Sequence, residues 1–127
     1  MDKNALINQV GLMIVTDPAV DAEYWDGYAL IVRYGDGPVA RKLYGFRYLD
    51  DGSFEAATPR SEKLGEALDA LREATRVEGK APWDACVFQI RRDTRRIHAE
   101  FEYENPEQWD VTPLTLASVV ERARPPG

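Results

Sequence analysis

The stretch "WDACVFQIRRDTRRIHAEFEYE", Trp83 to Glu104, decides how this chain folds. Two runs rich in apolar residues flank Asp93-Thr94, and the second alternates cleanly. Ile97, Ala99, Phe101 and Tyr103 fall on one side, and His98, Glu100, Glu102 and Glu104 on the other. Strict alternation is the mark of a half-buried strand. If Asp93 and Thr94 form the loop, Arg92 faces Arg95 and Cys86 faces Phe101. That register puts Cys86, Phe88, Ile90, Ile97, Ala99 and Phe101 on one face. Ala85, Val87, Gln89, Arg91, Arg96, His98, Glu100 and Glu102 share the other. Both strands sort apolar from mixed residues on a single register, which is what a hairpin on a core requires.

Upstream, residues 3–15 carry Leu6, Val10, Met13 and Ile14 at helical spacing, with Asp2 placed to cap the start and Asp17-Pro18 to end it. Trp25–Tyr34, Val39–Leu49 and Phe54–Ala57 read as three strands. The turn signals Gly35–Pro38 and Asp50–Ser53 separate them. Alternation is poor in the first two runs. Thr58-Pro59 predicts a capped helix over 59–78, with Leu64, Ala67, Leu68, Leu71, Ala74 and Val77 on its inner face and Gly79 as its stop. Thr112-Pro113 repeats that signal. A short helix follows, carrying Leu114, Leu116, Ala117 and Val120 and stopped by Pro125-Pro126. The order is α-βββ-α-ββ-α. The class is α+β, one antiparallel sheet of about five strands with the helices packed on one face. At 127 residues, positions 1–127 form a single domain. Trp-Asp recurs at 25–26, 83–84 and 109–110, but the unequal spacing is not that of a repeat protein.

Several chemistries are disfavoured by residue type. The formal net charge of −6 repels phosphate, so a nucleic acid partner is not expected. The longest apolar run near the N-terminus, Gly11 to Val15, is too short for a secretory leader, and no run reaches membrane-spanning length. These features predict a cytoplasmic chain with no membrane partner. One cysteine rules out an internal disulfide or a cysteine cluster for zinc, and one histidine rules out a two-histidine metal triad. No metal site and no cofactor are expected. The hairpin register sets Cys86 and His98 on opposite faces, so Cys86 reads as an inert core thiol rather than a nucleophile. Glu100 and Glu102 lie about 7 Å apart by strand geometry, a spacing open to acid–base work. Salt bridging to Arg91 and Arg96 accounts for them equally well. No phosphate loop, nucleophile elbow or dinucleotide fingerprint is present. No catalytic residue is assigned.

The acidic run remains. Glu100, Glu102, Glu104, Glu107 and Asp110 are interleaved with Phe101, Tyr103 and Trp109, and no base interrupts positions 100–110. Carboxylates around aromatic side chains suit the docking of a basic protein, with charge steering the encounter and an aromatic group as the buried anchor. The competing reading is structural: Trp109 packs the last helix onto the sheet and the acids are simply solvated. Residue types leave the two open.

The stretch "GEALDALREATRVEGKAPWDACVFQIRRDTRRIHAEFEYEN", Gly65 to Asn105, resembles the YezG-like immunity protein family of bacteria. A long amphipathic helix, the lead-in Lys80-Ala81-Pro82-Trp83, an apolar strand, a hairpin and the strand Phe101-Glu102-Tyr103-Glu104 carry the likeness. Asp93-Thr94 stands where a glycine turn is usual, and the C-terminal segment lacks an aromatic end. The resemblance implies a small α+β immunity protein, an antitoxin that neutralises the cognate toxin of a polymorphic toxin system by direct binding. Toxins of such systems are often nucleases, and a nuclease domain is basic because it holds phosphates. The site expected on this reading is Glu100, Glu102, Glu104, Glu107, Trp109 and Asp110. The alternative is a domain that binds a small ligand, or acts on it, at the polar sheet face through Arg91, His98, Glu100 and Glu102. A self-associating domain with an open sheet edge is a third possibility.

Overall fold

Leu6, Val10 and Ile14 recur every four residues, so a helix through them turns one apolar stripe inward. In the computed structural model, which describes residues 3–35 and 41–125, that helix is α1 (Lys3–Thr16), with all three side chains buried. Strands β1 (Gly27–Tyr34), β2 (Arg41–Tyr48) and β3 (Phe54–Ala56) follow, then α2 (Glu62–Ala74), β4 (Ala85–Arg91), β5 (Ile97–Glu102), a 3-10 turn (Pro106–Trp109) and α3 (Leu116–Ala123). The strands form one antiparallel sheet in the order β3-β2-β1-β4-β5. This is the expected α+β class and element order. From position 36 onward the predicted Gly35–Pro38 turn lies outside the described residues. So do Val39 and Ala40 of the expected second strand, the Asp2 cap and Pro126.

The hairpin register is the predicted one: Cys86 pairs with Phe101, Phe88 with Ala99 and Ile90 with Ile97. The loop is longer than two residues. The Arg95 N–H donates to the Arg91 carbonyl at 2.9 Å, and Arg95 takes a left-handed backbone, φ 56°. Both loops share one register because lengthening a turn by one residue on each side leaves the pairing unchanged. Cys86 is fully buried, and burial pushes its thiol pKa well above the usual value.

The helices do not all pack on one face. α1 and α2 cover one side, where Tyr28, Leu30, Val32, Phe88 and Ile90 join Leu64, Leu68 and Leu71. α3 and the 3-10 turn cover the other, where Ala29, Ile31, Phe46, Tyr48, Ala85 and Val87 join Trp109, Val119, Val120 and Ala123. The reason is the composition of β1, whose side chains are apolar on both sides. A strand buried on both faces shows no alternation, and the poor alternation of this run was the sign of a second cover. Each fully buried Leu, Ile or Val here contributes about 1.5–3 kcal/mol of transfer free energy.

Two helix starts and one helix end differ from expectation: α2 stops at Ala74 with Thr75 as its cap, short of the expected Gly79, and Val77 is exposed rather than on an inner face. α2 begins at Glu62 rather than Pro59, because the Thr58 hydroxyl accepts from the Gly45 N–H at 3.1 Å instead of capping the helix. The buried Asp17 carboxylate accepts from the Arg60 and Ser61 N–H groups at 3.2 and 3.3 Å, tying the end of α1 to the start of α2. α3 begins at Leu116, after Thr112 and Thr115 exchange hydrogen bonds between each hydroxyl and the other's N–H. That turn leaves Leu114 97% exposed, so it is no core residue.

Trp83 joins α2 to the sheet. Its indole N–H donates to the Thr75 hydroxyl at 2.8 Å, and its carbonyl accepts from Arg72, which also pairs with Asp84 at 2.6 Å. The ring lies 5.3 Å from Phe101 and 5.5 Å from Tyr34, in the range of favourable aromatic pairs.

Candidate functional site: the acidic strand and its flank

β5 turns Ile97, Ala99 and Phe101 toward α1 and α2, and His98, Glu100 and Glu102 toward the α3 side. α3 covers β1, β2 and β4 but not the outer strand. The Gln89 amide donates to the carbonyls of Ala123 and Arg124 at 3.0 and 3.3 Å, and the cover ends there. Beyond it lies an open groove of about 890 Å³, lined by Gln89, Arg91, Arg96, His98, Glu100 and Arg124, among others.

The expected site residues separate into two groups. Glu100, Glu104 and Glu107 are exposed, and none is in an ion pair among the described residues. Tyr103 lies beside them in sequence and is 48% exposed. The other three are bound within the fold. The Glu102 carboxylate accepts from the Gln108 side-chain amide and, at 3.4 Å, from the Glu104 N–H. Asp110 pairs with Arg33 at 2.8 Å.

Trp109 is only 9% exposed and sits in the second core cluster with Phe46, Val119 and Val120. The Arg122 guanidinium stacks over its ring at 4.8 Å and donates to the Gln108 carbonyl. The structural reading of Trp109 is therefore the correct one, and Tyr103 is the aromatic residue left at the surface. Sequence position could not tell the two apart. The 3-10 turn between them reverses the chain, and Pro106 at its first position was its only advance sign.

Of the two arginines expected beside Glu100 and Glu102, Arg96 is exposed and in no ion pair among the described residues. Arg91 makes two charge-assisted bonds to Asp93, at 3.0 and 3.1 Å. That hydrogen-bonded guanidinium holds the Asp93 carboxyl below its usual pKa. Arg92 donates to the Trp25 carbonyl at 2.6 Å and lies over the Trp25 ring at 4.3 Å. The hairpin turn is thus braced by Asp93 within it and by Trp25 from before β1, and Glu100 is exposed.

Among the described residues, no three His, Cys, Asp or Glu side chains converge as metal ligands would, and no helix is long and apolar enough to cross a membrane. Comparison with known protein families gave no match, and neither did comparison with curated protein sequences.

Proposed function

We propose that this chain is a non-enzymatic immunity protein that neutralises a basic toxin by direct binding in the cytoplasm, as the YezG-like resemblance implies. One observation carries the reading. Glu100, Glu104 and Glu107 are exposed around a half-exposed Tyr103, and none of the three is in an ion pair among the described residues. A surface of unpaired carboxylates raises the encounter rate with a positive surface, and an exposed tyrosine supplies contact area with a polar tip. The docking surface on this reading is Glu100, Tyr103, Glu104 and Glu107. Glu102 and Asp110 hold its frame, and Trp109 supports it from below.

The test is a calorimetric and stopped-flow titration against the basic toxin domain encoded beside this chain. Glu100→Lys, Glu104→Lys and Glu107→Lys together should slow association at low salt by at least tenfold and abolish its salt dependence. Tight binding with unchanged salt dependence would place the docking surface elsewhere. The second reading, a small ligand at the polar sheet face, draws on the groove of about 890 Å³ holding Arg91, His98 and Glu100. A small-molecule partner that protects His98 in a ligand screen would favour it.

A further inference from the structure

β5 is an outermost strand of the sheet. The Arg91 N–H donates to the Arg96 carbonyl, and the Asp84 N–H to the Glu102 carbonyl. These bonds turn the backbone groups of the even-numbered residues toward β4. Alternation in an antiparallel ladder then sends the N–H and C=O groups of Ile97, Ala99 and Phe101 to the open edge. Such an edge is a template for another strand.

The polar side chains along this edge are ordered by type, hydrogen-bond donors at one end and carboxylates at the other. Arg96 and His98 stand at one end of the polar face, and Glu100 and Glu102 at the other. We propose that two copies of the chain pair through β5, antiparallel, about a twofold axis at Ala99. In that register Ala99 meets Ala99 of the second copy, and Ile97 meets Phe101. All of them present outward backbone groups, so each pair can exchange two hydrogen bonds. On the polar face His98 meets Glu100, and Arg96 meets Glu102. These fall at the non-hydrogen-bonded positions, where opposing side chains come closest.

The neighbouring registers are worse. A shift of one residue sets the apolar side against the polar side. Moving the axis to Glu100 sets two carboxylates directly opposite, and moving it to His98 sets that residue against itself and shortens the ladder. Beyond the ladder, Tyr103 of the second copy lies toward the hairpin turn, where Arg95 leaves the extended backbone, beside a groove of about 560 Å³ bounded by Leu12, Val15, Ile97 and Arg95 in which Leu12 is 62% exposed.

Sedimentation equilibrium of the purified full chain tests the proposal. At about 100 μM it should show twice the chain mass of 14.4 kDa. His98→Glu sets like charges opposite on both sides of the axis and should raise the dimer dissociation constant about tenfold. The swap H98E/E100K restores opposite charges and should return the constant close to that of the parent chain. Both positions are exposed, so folding is not at stake and the rescue reports the interface alone. A monomer at that concentration, an H98E variant that associates as well as the parent, or a swap no better than H98E would each overturn the pairing. The pairing shares Glu100 and Tyr103 with the proposed toxin surface, so dimer and toxin would compete for it; because the assay contains no toxin, a monomer result overturns the pairing and leaves the inhibitor reading standing.

Discussion

Trp109→Ala separates the structural role of this residue from a role as surface anchor. The indole is only 9% exposed. A tryptophan side chain buries on the order of 200 Å². At about 25 cal/mol per Å², its transfer term approaches 5 kcal/mol. Measured truncations of buried Phe and Trp cluster at about 3–5 kcal/mol once relaxation is included. The Arg122 stack at 4.8 Å is lost as well. Arg122 is exposed, so the stack adds at most about 1 kcal/mol. The expected loss is therefore about 4 kcal/mol, against a total stability of about 5–15 kcal/mol for a domain of this size. Urea unfolding followed by far-UV circular dichroism measures it, since Trp25 and Trp83 complicate fluorescence. Trp109→Phe keeps the apolar volume of one ring and should lose less than half as much. If Trp109→Ala costs less than about 1 kcal/mol, the second core does not depend on the indole and the assignment of Trp109 to structure is wrong.

Two further outcomes follow from the packing. Gly45→Ala would drive a Cβ into the Tyr28 hydroxyl and the Ala57 carbonyl. It should cost about 1–3 kcal/mol by overpacking, read as a lower urea midpoint, whereas Gly52→Ala, which meets nothing nearby, should suffer only its left-handed backbone. Burial raises the phenol pKa of Tyr28, Tyr34 and Tyr48. The fold therefore favours their neutral form. That stabilisation is complete below the unfolded tyrosine value of about 10 and is lost as pH rises through the higher folded values. The urea midpoint should hold steady up to about pH 10 and then fall. A midpoint that does not move in alkali would contradict the burial of these phenols.

Much of the fold was legible because the informative segments carry one strong period each. The β4–β5 register could be read from the alternation of Ile97–Phe101 together with the Asp93-Thr94 turn and the Cys86–Ile90 run, since a slip of one residue would have set apolar against polar side chains. The α2 stripe of Leu64, Leu68 and Leu71 was equally clear. The side covered by α3 was not. Ala29, Ile31, Ala85 and Val87 lie between residues just as apolar, so no alternation marked a second buried face. Leu114 looked like core by type, but the local Thr112–Thr115 turn, whose two threonines bond each other's N–H instead of opening the helix at Pro113, puts it in solvent. Within the candidate site, the exposure of Glu100 followed from its parity in β5. The fates of Glu102, Trp109 and Asp110 depended on Gln108, Arg122 and Arg33, residues whose proximity no local pattern encodes.

β1 is hydrogen-bonded on both sides and covered on both faces, so its amides reach solvent only when the whole domain opens. β5 shares one ladder with β4 and packs through a single side. By that difference β5 should lose amide protection before β1 in native-state hydrogen exchange, so the strand that carries Glu100 is expected to open as a local unit while β1 keeps the domain intact.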